Sequence, residues 1–220
     1  KKTVQEFELE IEGEYRYFYN EAQFYGQKSQ FPAFAFTPKY TVEWNKGRES
    51  INFTGFVRFD VDNKRTHWDV RELYYQKAKA NWELNIGLKK VYWGVTESNH
   101  LVDIINQTDQ LESFDGEEKL GQPMVQFTWS TENFGNLDFF YLPYHRKREF
   151  SGPKGRLRFP VLLERNAVSY ESKAEEWRQD FAMRWSHYMG AFDIGVSHFY
   201  GNGREPLFEF NQQGDINAFY

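Results

Sequence analysis

Five histidines, 32 acidic and 27 basic residues are the groups available for chemistry in this 220-residue chain. Metal binding is the first chemistry to weigh, because it needs His and carboxylate side chains converging on one point. Glu97, His100 and Asp103 stand at helical spacing but form a single isolated cluster. His187 and His198 fall in adjacent extended stretches, yet the register of the hairpin they belong to does not pair them across the strands. Asp115-Gly116-Glu117-Glu118 lacks the length and ligand pattern of a calcium loop. The absence of Cys removes thiolate sites and disulfides. No Gly-x-Ser-x-Gly nucleophile turn occurs, and no glycine-rich phosphate loop follows a strand. The sequence therefore indicates no catalytic residue, no metal and no cofactor, and the expectation is a protein that is not an enzyme.

What remains is charge set out in patterns. Glu6, Glu8, Glu10, Glu12 and Glu14 occupy every second position, with Arg58 and Arg184 as further charges on polar strand faces. Such rows select solutes when they line a water-filled passage. In a soluble sheet they are simply the wet face, and the opposite face then needs another layer to cover it. A second group follows the apolar stripe Leu101, Val102, Ile104 and Ile105, which predicts a short helix capped by Ser98 or Asn99 within the 94–122 connection. Asp103, Asn106 and Gln107 would lie opposite that stripe, with Asp109 and Glu112 just after. They read either as an acidic constriction folded into a lumen or as an extracellular loop docked on a rim. A third group is basic: His145-Arg146-Lys147-Arg148, then Lys154, Arg156, Arg158 and Arg165. It suits lipid phosphates or an anion-attracting patch, or it is a solvated charged loop.

The elements that must position these charges are strands. Phe181–Tyr200 predicts a hairpin turning at Gly190-Ala191 in a type II′ turn. That turn sets Met189 against Phe192, His187 against Ile194, Trp185 against Val196, Met183 against His198 and Phe181 against Tyr200. This face is large and apolar, whereas the other, with Arg184 opposite Ser197, is small or polar. Each strand has about ten residues, enough to span a bilayer when tilted. Val4–Tyr19 alternates most cleanly, with Phe7, Leu9 and Ile11 opposite the Glu row. Further strands are predicted at 33–44, 51–61, 67–77, 82–93, 124–130 and 136–143, with Leu84 and Ile86 on the apolar face of the fifth. Alternation is poor in 67–77.

Connections predicted after the second, fourth, sixth and eighth strands are short, and those after the first, fifth and seventh are long; the one after the third, Asp62–Thr66, is the exception. Outer-membrane barrels have this inequality built in, with short periplasmic turns and long extracellular loops. The aromatic content of 20% favours strands. Mean hydropathy is −0.78, and no apolar run approaches the ~20 residues of a helical span, a test that does not apply to barrels. A net charge of −5 argues against a nucleic-acid partner.

The segment Val91–Gln122, LDFFYLPYHR from Leu137, Gly155-Arg156-Leu157-Arg158 and the RWSHYMGAFDIGVSHFYG hairpin resemble an uncharacterised family of Gram-negative outer-membrane proteins. That family is broadly similar to porin-like and alginate-export-type barrels. The resemblance runs from about Trp82 to Pro206. It implies an outer-membrane location and a barrel longer than this chain, and it supplies no catalytic residues.

The combined expectation is all-β: one antiparallel up-and-down transmembrane barrel domain over 1–220. About nine strands would form an incomplete barrel or curved open sheet, continued beyond Tyr220, with a leader removed before Lys1. Lumen charges are expected at Glu8, Glu10, Glu12, Arg58, Asp103, Asp109 and Arg184. Lipid-facing positions are expected at Phe7, Leu9, Ile11, Leu84, Ile86, Trp185, Ile194 and Val196. The partners would be outer-membrane lipids and a polar solute, passing through a passive channel or exporter. The alternative is a soluble all-β module binding a glycan or other ligand on its aromatic surfaces.

Overall fold

The computed structural model describes residues 2–62, 64–93, 103–113, 115–160, 163–210 and 216–220. Its strands are β1 (Val4–Tyr17), β2 (Gln30–Trp44), β3 (Glu49–Asp60), β4 (His67–Ala78), β5 (Trp82–Lys89), β6 (Gln122–Thr131), β7 (Gly135–Leu142), β8 (Leu163–Ser169), β9 (Asp180–Met189), β10 (Phe192–Tyr200), β11 (Leu207–Phe210) and β12 (Ile216–Phe219). Nine of them form one antiparallel sheet in the order β1-β2-β3-β4-β5-β6-β7-β9-β10, which is not closed. The protein is therefore all-β, with an open nine-stranded meander as its main body.

The β9–β10 register matches the turn chemistry of Gly190-Ala191, from Phe192 opposite Met189 to Tyr200 opposite Phe181. Gly190 sits at φ 65°, which a glycine adopts without the steric cost of a side chain. Gly135 at φ 79° closes the β6–β7 turn, and a side chain there would strike the Ser186 carbonyl of β9. The weak alternation of β4 has a physical origin. Thr54 of β3 faces Glu72, but the next residue, Gly55, faces Val70, so Arg71 is an extra residue in the ladder. Such a bulge re-aims a side chain and breaks the period of two.

The two faces of the sheet differ sharply. One carries Phe7, Leu9, Ile11, Tyr15, Phe34, Tyr40, Ile51, Phe59, Leu73, Ile86, Phe127, Phe139, Met183 and Val196, all exposed. No second layer lies on it among the described residues. The other face is covered by the long connections and holds the core of Trp93, Ile105, Met124, Phe140, Leu142 and Ala182. Antiparallel order gathers the short turns 45–48, 79–81, 132–134 and 190–191 at one end. The longer connections meet at the other, where Gln27 donates to the Gly155 carbonyl at 2.7 Å and Arg156 to the Asn20 carbonyl at 2.7 Å.

Two expectations are corrected. The predicted helix is not formed at 103–107, which is irregular; Ser98, Asn99, Leu101 and Val102 lie outside the described residues. The only helical turn described is a 3-10 turn at Glu175–Trp177. The 144–177 connection and the tail are also not merely loops. β8 and the tail strands β11 and β12 form a second sheet, with β12 between β11 and β8, antiparallel to the former and parallel to the latter. Strands of four residues show too little alternation to be read.

Candidate functional site

The site begins with three arginines on the covered face. Arg58 is placed by the alternation of β3 and Arg71 by the β4 bulge, while Arg65 comes from the tight β3–β4 connection. All three are buried. Their partners come from three directions. Glu14 of β1 lies 2.7 Å from Arg58 Nη1, and Asp60 at the end of β3 lies 2.9 Å from Arg65 Nη1. The 103–113 segment supplies two more: Glu112 Oε2 at 2.7 Å from Arg58 Nε, and Asp109 Oδ2 at 2.5 Å from Arg71 Nη1. The last two are charge contacts without hydrogen-bond alignment. Arg65 Nε also donates to the Leu111 carbonyl at 2.7 Å, and Arg71 stacks 4.4 Å above the Phe56 ring. Burial pushes the Glu112 carboxyl above its ordinary range, against the pull of Arg58 and Arg65.

The result is a segment laid across the polar face of the sheet and held by charge. It is also anchored by its own side chains. Asn106 accepts from the Val91 amide at 2.8 Å and donates to the Lys89 and Leu120 carbonyls at 2.8 and 2.9 Å. Asp103 accepts from the Trp93 amide. Ile105 enters the apolar core. At the strand ends, Arg204 donates to the Ile105 carbonyl at 2.9 Å, to Asp180 at 2.9 Å and to the Asn202 carbonyl at 2.8 Å, and it meets His145 Nδ1 at 3.0 Å. One guanidinium thus joins the segment, the β7–β8 connection, β9 and the chain after β10.

The expected charges divide into two sets. Arg58, Asp103 and Asp109 are buried at 4, 7 and 4% exposure, so they hold the segment instead of presenting open charge. Glu8, Glu10 and Glu12 remain exposed, with Lys39 Nζ 3.5 Å from Glu8 and 3.4 Å from Glu10, and Arg58 Nη2 3.5 Å from Glu12. Arg184 is half-buried and points at the Trp93 carbonyl, 3.4 Å away. On the bare face Phe7, Leu9, Ile11, Ile86 and Val196 are exposed, while Leu84, Trp185 and Ile194 are half-buried. Two arginines of the basic segment are paired: Arg146 meets Asp69 at 2.8 Å and Arg148 meets Glu205 at 2.6 Å. The side chain of Arg165 lies outside the described residues.

Arg65, Arg71, Asp180 and Arg204 carry much of this geometry and were not singled out from the sequence. A bulge hides Arg71 from the strand period, and Arg204 sits in a tail without periodicity, so neither left a local signal. Among the described residues no group of three His, Cys, Asp or Glu could hold a metal ion. Comparison with family models, with curated proteins and with solved structures finds no match.

His145 gives the site a pH dependence. Burial, with Arg204 and Lys147 nearby, pulls its imidazole down to about 3 from 6.5. The unfolded chain therefore takes up a proton near pH 6.5 that the folded protein refuses. Stability from this group is complete above about pH 6.5 and is lost as pH falls toward 3, at about 1.4 kcal/mol per unit. A His145→Asn variant, which can still accept from Arg204, is expected to show a shallower fall in urea stability between pH 6.5 and 4.5. Identical slopes would show that His145 carries none of the acid sensitivity.

Proposed function

We propose that this chain forms part of the wall of an outer-membrane porin-like barrel, with its bare face against lipid and its covered face bordering a passage for polar solutes. The observation that carries this reading is the bare face. Soluble monomers rarely leave an apolar patch above a few hundred Å² uncovered, yet here apolar side chains from all nine strands of the main sheet stay open. Their arrangement also suits a bilayer. Tyr40, Trp44, Tyr75, Trp82, Trp129 and Trp185 lie toward the short-turn end, and Tyr15, Tyr17, Trp68, Tyr141 and Tyr200 toward the other. Aliphatic and Phe side chains occupy the span between, as in the two aromatic girdles of membrane barrels. Tyr15 and Phe7, which is opposite Tyr40, are eight residues apart on β1, about 27 Å along the strand.

On the covered face, the arginine-held segment narrows the space beside the sheet, and Glu8, Glu10 and Glu12 supply its open charge. The reading is of passive permeation without catalysis, the acidic row favouring cations. The test is fluorescence of the protein reconstituted in vesicles with brominated acyl chains. Quenching of the Trp emission is expected, since Trp82, Trp129 and Trp185 would touch those chains. Full emission, still open to iodide from water, would end the membrane reading in favour of a soluble module. Selectivity provides a second expected result. In planar bilayers, replacing Glu8, Glu10 and Glu12 together by Gln should lower the cation-to-anion permeability ratio, read as a shift of reversal potential in a salt gradient. An unchanged ratio would remove this row from the conduction path.

A further inference from the structure

A cleft of about 690 Å³ opens at the long-connection end, between the start of β4, the 103–121 segment, the β7–β8 connection and the small sheet. Its volume is that of a small-molecule site. Its walls are mixed: Leu111, Leu120, Phe150 and Val168 are apolar, and Tyr144 adds ring surface. Most of the charged groups in it are already matched. Asp69 is held by Arg146 at 2.8 Å and Asp109 by Arg71 at 2.5 Å. Arg148 is committed to Glu205 and Gln107, and Glu149 is also engaged. Two cations are left over. Lys64 and Lys147 line the cleft, both are partly buried, and neither meets a carboxylate among the described residues. The nearest aromatic partner of the Lys147 ammonium is the Tyr170 ring, 6.0 Å away.

Two cations that line a partly apolar cleft without a carboxylate partner favour a ligand that brings negative charge. We infer that this cleft binds an amphipathic organic anion, its carboxylate taken by Lys64 and Lys147 and its apolar body laid against Phe150, Leu111 and the Tyr144 ring. An inorganic anion would satisfy the lysines but leave the apolar walls wet. A neutral body would fill the walls but leave the lysines unpaired. The inference rests on the channel reading only for its biological meaning, as a mouth site where such solutes collect; binding itself requires no conduction.

The experiment is calorimetry on the full chain in detergent, with N-acetyltryptophan as the probe, its amide as the neutral match and inorganic phosphate as the bare anion. The carboxylate is expected to bind about tenfold tighter than the amide, and phosphate to compete poorly. Lys64→Gln with Lys147→Gln should bring the acid and the amide within about twofold, whereas Lys→Arg at both positions should keep the preference. Equal affinities in the wild-type chain, a preference that survives the double Gln change, or phosphate competing as well as the acid would each overturn the site. Anion binding in detergent with silent planar bilayers would keep the site and sink the channel; conduction without any preference for the acid would do the reverse.

Discussion

An arginine at Ile86 is expected to cost the folded protein about 2–4 kcal/mol in a bilayer. Ile86 lies midway along β5, opposite Tyr75 of β4 and Val125 of β6, and its side chain is exposed on the bare face. On a soluble protein an exposed Ile→Arg change would be nearly neutral, within about 0.5 kcal/mol, and would improve solubility. In hydrocarbon the same guanidinium must be dragged from water. The two environments therefore predict opposite results for one substitution. Val196→Arg on β10 should behave like Ile86→Arg. Leu137→Arg, placed between Trp129 and Trp185 near the short turns, should cost only about 0–1 kcal/mol, because depth sets the penalty. The measurement is denaturant unfolding in lipid vesicles. Three variants with wild-type stability would mean that this face never meets lipid.

The sequence revealed this fold unevenly, and particular residues explain why. β1, β9 and β10 were legible because each alternates without interruption, and because Gly190 fixes a register that propagates along the whole hairpin. β4 was blurred by one inserted residue, Arg71, which proved to be among the residues that hold the site together. At 103–107 no helix forms, because side chains there compete with a helix for the backbone. Asn106 makes three hydrogen bonds to main-chain groups of the β5 end and the β6 approach, and Asp103 caps the Trp93 amide. Asn and Asp commonly offer the chain such alternatives to helical bonding. Which charges would be buried was not legible either. Glu10 and Glu14 share one alternating row, yet Glu14 is drawn in by Arg58 and Arg65 while Glu10 stays in water. That difference depends on where Arg58 and Arg65 lie, contacts between residues 44 and 51 positions apart.

The Arg204→Met variant is expected to lose about 3–5 kcal/mol of stability. Asp180 is fully buried and accepts one hydrogen bond from Arg204 and one from the Asn202 amide. Removing the guanidinium leaves a buried carboxylate without its countercharge, and strips the Ile105 carbonyl of its donor. The magnitude comes from the orphaned charge, not from any large net gain in the pair. Hence Asp180→Asn in the Arg204→Met background should recover a large part of the loss, since Asn keeps an acceptor for the Asn202 amide without the charge. The structural consequence reaches further than the energy. Arg204 is the tie between the strand ends and Ile105, while the hold of Arg58, Arg65 and Arg71 lies farther along, at 109–112. Limited proteolysis of Arg204→Met under folding conditions should therefore cut near 103–107 faster than wild type, with the 109–112 contacts still protected. If Arg204→Met alone and Arg204→Met combined with Asp180→Asn lose equal stability, and the cleavage pattern does not change, the buried charge is not what fastens this segment to the sheet.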